Sequence, residues 1–212
     1  MSLLRHELVR FATRQDRPRW LSERFPSLLR SRVLDVGCDA AVLRDFVGAE
    51  RYVGIDRSEA ADVHHDLQRG GPLPFADRSF ETVVCTDVLE HLDNLHEVFE
   101  ELVRVADRHL LVSLPNNWNA ARLPIRRGRG SFKHYGLPLD PPEDRHRWFF
   151  SMVEARDFLE SRAERHGLAI RELVALEKPR VRPLVLARRL LHPGSRYLNL
   201  FSHTLVCHYE RS

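Results

Sequence analysis

Short runs of apolar and β-branched residues recur along the chain, separated by segments whose apolar positions fall at helical spacing. The runs at 31–36 and 51–55 each end in an acidic or glycine-bearing turn, as buried parallel strands do. Between them Val42, Leu43, Phe46 and Val47 share one face and predict a helix over 40–47. The alternation continues with strands at 62–65 and 81–85, a helix over 94–105 that carries Leu95, Val98, Phe99, Leu102 and Val103, and a fifth strand at 108–114. Strands alternating with helices predict an α/β sheet, mostly parallel, whose ligands bind beyond the carboxyl ends of its strands.

The alternation stops at 115–150. This segment holds several prolines and glycines, the basic cluster Arg122, Arg126, Arg127, Arg129 and Lys133, and the aromatics Trp118, Phe132, Tyr135 and Trp148. A connection this long and this rich in side-chain chemistry is expected to be functional. Ser151 and Glu154 then form a capping box that opens a helix to His166, and Gly167 supplies its stop. A strand over 168–176, a helix over 183–191 and a final strand over 200–209 complete the pattern. In the 183–191 helix, Leu184, Val185, Leu186, Leu190 and Leu191 lie among Arg182, Arg188 and Arg189. Such a stripe rests on a membrane or a partner, or, more commonly, packs on its own core.

Composition narrows the class. The 212 residues, 43% hydrophobic and 30% charged, suit one globular domain over 1–212. No apolar run approaches the roughly 20 residues needed to span a bilayer, and the charges at Arg5 and Glu7 do not suit a signal peptide, so a cytoplasmic location is expected. The net charge is +3, and of 33 basic residues only Lys133 and Lys178 are lysines. An arginine skew of this kind follows genome composition more often than a nucleic-acid footprint, and no nucleic-acid partner is expected. Cys38, Cys85 and Cys207 are far apart, which fits a reducing compartment and excludes a zinc knuckle.

Candidate chemistry gathers after the strands. Gly37 ends a strand that carries Asp35, lets a ligand approach the backbone, and leads into a predicted helix start with unpaired N–H groups. Asp56 ends the next strand, where a carboxylate accepts both hydroxyls of a ribose. Asp66 and Leu67 follow the third strand, a carboxylate and an apolar side chain suited to an adenine edge and face. The stretch 72–92 then reads PLPFADRSFETVVCTDVLEHL.

Taken with VLDVGCDAA at 33–41, this run resembles the class I S-adenosylmethionine-dependent methyltransferases, whose usual pattern is V-L-D-x-G-C-G-x-G, G-x-D, L-P-F-x-D-x-S-F-D-x-V and L-E-H; the match covers residues 32–115 in register. A looser likeness to MetW, a methyltransferase-like protein, extends downstream. The resemblance implies a Rossmann-like three-layer sandwich with a seven-stranded, mostly parallel sheet and a reversed last strand. It implies S-adenosylmethionine as cofactor and a helix over 5–20 covering the cofactor side. By position, Asp35, Gly37, Cys38 and Asp39 would face the methionine moiety, Asp56 the ribose hydroxyls, Asp66 and Leu67 the adenine, and the backbone around Cys85 and Thr86 the ammonium group, with Arg57 and Asp87 as further cofactor-binding candidates. The sequence departs from the pattern at Asp39 and Ala41, where the family has glycine, and at Glu81, where it has aspartate. Asp39 either crowds the methionine carboxylate or binds the ammonium itself.

Two histidines are candidate bases. His91 either takes a proton at the methyl end of the cofactor or serves as the structural helix start of the L-E-H element. Asp87, Glu90 and His91 also resemble the E-x-x-E-H metal site of small-RNA 2′-O-methyltransferases, but the broader family carries such residues without metal, and none is expected. His146 either acts as a base, with Tyr135 and Trp148 as pocket walls and Arg147 as an anion clamp, or closes the end of the sheet. Asn116, Trp118 and His134 are further candidates for the acceptor side, with 116–150 as an insertion that holds the acceptor. The expected activity is O-methylation of a small or phosphate-bearing molecule. The alternatives are a non-catalytic methyltransferase-like regulator of a partner enzyme, and an RNA methyltransferase, which would need the basic cluster at the cofactor mouth.

Overall fold

The apolar runs pair edge to edge in a computed structural model that describes residues 4–132, 134–142 and 144–211, so Lys133 of the basic cluster lies outside it. The strands are β1 (Leu4–Leu8), β2 (Val33–Val36), β3 (Tyr52–Asp56), β4 (Val63–His64), β5 (Phe80–Thr86), β6 (Ala106–Pro115), β7 (Leu168–Glu177) and β8 (Ser202–Arg211). They form one sheet in the order β1-β7-β8-β6-β5-β2-β3-β4. Only β8 runs against its neighbours, pairing antiparallel with both β6 and β7. This is the Rossmann-like α/β arrangement with a reversed last strand, carrying eight strands where seven were expected.

The additional strand is β1. It adds in parallel to the edge of β7, from Leu4 opposite Leu173 to Leu8 opposite Glu177, in the region expected to be helical. Its side chains explain the choice: His6 Nδ1 lies 2.8 Å from Glu177 Oε1, and Glu7 accepts hydrogen bonds from Trp20 Nε1 at 3.2 Å and Arg24 Nε at 2.7 Å. Helix begins only at α1 (Asp16–Arg24), where the Asp16 carboxylate accepts from the N–H groups of Ala12 and Thr13.

The other helices are α2 (Arg44–Val47), α3 (Leu95–Val105), α4 (Asn117–Arg127), α5 (Met152–His166), α6 (Arg182–Leu191) and α7 (Ser195–Phe201). On one face of the sheet Leu21 and Phe25, at and just beyond the end of α1, and Val47 of α2 pack on Val33, Val84, Leu111 and Val206. On the other, Phe99 and Leu102 of α3 and Leu159 of α5 pack on Leu34, Val83, Leu110 and Tyr209. Each buried leucine or phenylalanine contributes roughly 1.5–3 kcal/mol, so both faces anchor the strands whose ends form the site.

Local signals explain where elements stop. The helix expected over 40–47 shrinks to α2 because Asp39 and Ala41 have φ of 47° and 52°, a left-handed turn that a helix cannot include. α5 has the expected capping box: Ser151 Oγ accepts from Glu154 N at 3.2 Å and Glu154 Oε2 accepts from Ser151 N at 2.8 Å. Gly167, at φ 63°, ends it. α4 was not expected, since Pro124 falls inside it; Asn116 caps it, accepting from Asn119 N at 3.3 Å. α7 takes the start of the stretch read as the last strand, so β8 begins at Ser202. Among the described residues, no helix is long and apolar enough to cross a membrane.

Candidate active site

A cavity of about 280 Å³ opens at the carboxyl ends of β2 and β5, lined by Asp35, Gly37, Cys38, Asp39, Thr86 and Asp87 among others. Gly37 is required here twice over: its φ is 76°, and a Cβ would meet Val88 Cγ2 at 2.3 Å. Asp35 is buried and accepts a hydrogen bond from Tyr52 Oη at 2.8 Å. Burial pushes its carboxyl up to about 7 against that hydrogen bond, and the Asp56 charge adds to the rise. Burial likewise pushes the Cys38 thiol up to about 12, so Cys38 is an inert wall residue. Asp87, at φ 55°, is held by Ser113, whose Oγ donates to Oδ1 at 3.0 Å and accepts from Asp87 N at 3.1 Å.

The N-terminal segment forms the opposite wall. Phe11, Thr13, Arg14 and Arg17 line the cavity, Arg17 pairs with Asp87, and Arg14 Nη1 lies 3.0 Å from Asp39 Oδ2. Sequence reading missed these residues, because nothing local marks an arginine in 9–20 as facing a turn at 37–43. The Asp39 carboxylate is exposed and turned to Arg14 at the mouth.

The first N–H groups of the turn are engaged, contrary to the expectation of an open helix start directly after Gly37. Gly37 N donates to Ile55 O at 2.9 Å and Asp39 N to Asp56 Oδ2 at 3.1 Å. Asp56 Oδ1 accepts from Ser58 N at 2.9 Å, so both carboxylate oxygens brace the turn as well as the end of β3. Asp56, Arg57, Asp66 and Leu67 lie outside the residues that line the cavity. Arg57 is exposed; Asp66 accepts from Gln68 N at 3.1 Å in a cap, and Leu67 is buried beneath it.

A second cluster adjoins Asp87. The L-E-H element forms a 3-10 turn over Leu89–His91 that buries Glu90, whose Oε2 has no hydrogen-bond partner among the described residues. Burial, and then the charge of Asp87, pushes the Glu90 carboxyl well above the usual carboxylate range. His91 Nδ1 lies 2.7 Å from Asp144 Oδ1, and its ring centroid is 4.5 Å from that of His146. His134 stacks on His146 at 4.4 Å, with its ring centroid 6.4 Å from that of His91. The Nδ1 of His146 faces Tyr135 Oη at 3.1 Å and Asn117 Nδ2 at 3.3 Å. Burial, with repulsion from His91 and His134, holds the His146 imidazole down to about 4, so it is neutral near pH 7. Glu90, His91 and His146 place one oxygen and two nitrogens within 4.8 Å of one another, donor chemistry that a divalent cation also accepts.

The remaining candidates divide. Tyr135 donates to Trp148 O, and Trp148 Nε1 donates to Leu92 O at 2.7 Å, which binds the 130–150 segment onto the L-E-H turn. Arg147 reaches Asp93, Nε to Oδ2 at 3.7 Å. The Asn116 amide is consumed inside the fold, donating to Leu198, Asn199 and Ser202 carbonyls at 2.7–3.2 Å. Trp118 lines a separate apolar cleft and does not meet the histidines. Glu90, Asn117 and Asp144 were not singled out from sequence as site residues on the acceptor side; the E-H dipeptide carried a signal for Glu90, and nothing local marked the other two.

A mostly parallel sheet with a reversed last strand, with a cavity at its carboxyl edge lined by the buried Asp35 together with Asp39 and Asp87, is the arrangement in which α/β folds hold nucleotide-type cofactors. The chain belongs to the methyltransferase family: a model of the methyltransferase domain matches residues 2–173. It is an S-adenosylmethionine-dependent methyltransferase. No curated protein matches it significantly. Solved structures share its fold, among them an S-adenosylmethionine-dependent methyltransferase of Archaeoglobus fulgidus (17% identity, 94% of this chain and 95% of that one, TM-score 0.58). Another is that of Mesorhizobium loti (16%, 92% and 98%, 0.55). A third is the magnesium protoporphyrin IX methyltransferase of Synechocystis PCC 6803, solved with bound SAH (18%, 92% and 80%, 0.52). The cavity lining fits the cofactor's chemistry: the Arg17–Asp87 and Arg14–Asp39 pairs can be exchanged for a ligand that carries an ammonium, a sulfonium and a carboxylate.

Proposed function

We propose that the enzyme methylates a hydroxyl of a small or phosphate-bearing acceptor, and that residues 116–150 form the acceptor side of a single domain. The observation that carries this reading is the pairing of His91 with Asp144 beside Asp87, the residue shared with the cofactor cavity. S-adenosylmethionine supplies an electrophilic methyl group. A hydroxyl acceptor must lose its proton as its oxygen gains that methyl, whereas an amine does not need a base of this kind at the same stage. His91 is the group suited to the task. Its Nδ1 faces the Asp144 carboxylate, which orients the ring and stabilises the charge it acquires, and its Nε2, 3.8 Å from Oε1 of the buried Glu90, takes the proton. His146, neutral and packed against His91 and His134, orients the acceptor. Arg147, only loosely held by Asp93, is available to an acceptor phosphate.

The test is transfer of labelled methyl from S-adenosylmethionine to a panel of hydroxyl and amine acceptors, each with and without phosphate. Turnover is expected with a hydroxyl acceptor. His91→Ala should lower kcat by about 10²-fold or more with cofactor affinity preserved, and Asp144→Asn should lower it less. Preference for amines, or full activity in His91→Ala, would refute the reading.

A further inference from the structure

Helix α6 is set into the fold with its apolar side outward. It buries no residue, and Leu186, Leu190 and Leu191 are 62%, 74% and 71% exposed. Its arginines turn the other way: the guanidinium of Arg188 lies 4.7 Å from the Phe201 ring centroid and that of Arg189 lies 5.3 Å from the Tyr197 ring, both on α7. A solvated surface helix would be laid down in the opposite sense. Across Phe201, Arg122 of α4 stacks on the same ring at 4.8 Å, so α4 and α6 flank α7 on one side of the molecule. There Trp118, Ile125, Phe149 and Leu200 line an open apolar cleft of about 380 Å³, with Arg122 and Arg126 at its rim.

Charge is segregated with this apolar surface. Residues 115–139 and 178–201 together hold eleven of the 33 basic residues and none of the 30 acidic ones, so the rest of the chain is net negative. Burial, and then the nearby charges of Arg188 and Arg126, lower the Arg122 guanidinium from its ordinary value. None of the three has an ion pair among the described residues.

We propose that the α4–α6 face docks on an anionic phospholipid bilayer, with the leucines of α6 and the cleft of α4 entering the headgroup boundary and the arginines meeting lipid phosphates. The combination selects this occupant. A second copy docking through the same face would bring Arg122, Arg126 and Arg188 against their own counterparts, which repels. An RNA surface is read by polar and aromatic side chains, and would leave the outward leucines in water. Aliphatic side chains fringed by arginine match the interface of a bilayer with negative headgroups.

The experiment is flotation of the full chain with vesicles of phosphatidylcholine containing about 30% phosphatidylglycerol, and with phosphatidylcholine alone. Binding to the anionic vesicles, weakened by salt and accompanied by a blue shift of tryptophan emission that Trp118→Phe abolishes, is expected. Leu190→Asp/Leu191→Asp, in a helix with no buried residue, should retain the melting temperature and S-adenosylmethionine affinity and bind vesicles about tenfold or more weakly. No binding to anionic vesicles at low salt, or undiminished binding by the leucine variant, overturns the proposal. So does equal affinity of wild type and leucine variant for a single-stranded RNA together with failure to float, which would assign the surface to a dissolved polyanion.

Discussion

Asp35→Asn should remove a large part of the pH dependence of folding stability. The carboxyl is buried at the end of β2, accepts one hydrogen bond from Tyr52, and is pushed by burial from 3.8 up to about 7. The folded chain therefore keeps a proton that the unfolded chain has lost. Folding takes up that proton between about pH 4 and pH 7, so this group's contribution falls as pH rises through the window and levels off above it. A rise from 3.8 to about 7 corresponds to ~4 kcal/mol in full, of which ~3 kcal/mol develops between about pH 4.5 and pH 7.5. Asparagine keeps the shape and can accept from Tyr52, but does not titrate. Urea unfolding of both proteins across that range measures the effect. The stability of wild type relative to the variant should drop by ~3 kcal/mol from the acid to the neutral end. The lowered carboxylates Glu101, Glu177 and Glu210 act in the opposite direction, but they are common to both proteins and cancel in the difference. Parallel curves would show that Asp35 ionises normally in the fold and would refute the reasoning.

Three further outcomes are expected. Asp39→Gly should change S-adenosylmethionine affinity by less than about threefold, because its carboxylate is engaged in an exposed pair with Arg14; a change beyond tenfold in calorimetric titration would put that carboxylate on the cofactor. Asp56→Ala should weaken cofactor binding and also lower stability by about 1–3 kcal/mol in urea unfolding, since Asp39 N and Ser58 N lose their acceptor; an unchanged stability would contradict the bracing of the turn. Treatment with EDTA should leave turnover intact if His91 acts as the base. A loss restored by a divalent cation would show instead that Glu90, His91 and His146 hold a metal.

Part of the cofactor side was legible in sequence, through the family resemblance, because its residues sit at strand ends separated by short, patterned connections; Asp56, Arg57, Asp66 and Leu67, expected beside them, do not line the cavity. Asp35, Gly37, Cys38, Asp39, Thr86 and Asp87 share one cavity, as positions after adjacent parallel strands must. The acceptor half was legible only as a list. His91 and His146 are 55 residues apart in the chain, and only the packing of 130–150 onto the L-E-H turn, through Trp148 and the backbone of Arg147, brings their rings together. Asn116 and Trp118 have the side-chain types of a binding pocket, yet one was taken up as a cap and interior tie and the other faces a different cleft.

By itself, the sequence determined the α/β alternation, the glycine turn and the capped α5, because each rests on periodicity or on a backbone requirement written within a few neighbouring residues; the reversed last strand was expected only from the family resemblance. Tertiary structure alone decided the rest. β1 is a strand because β7 offered an open edge to a segment with little preference of its own. Arg14 and Arg17 reach the cavity because Leu21 of α1 packs in one core cluster with Val33 of β2 and Val84 of β5, which sets the segment before it beside Asp39 and Asp87. The stripe of α6 faces outward, not inward, because periodicity specifies that a helix has an apolar side but not which way that side is turned.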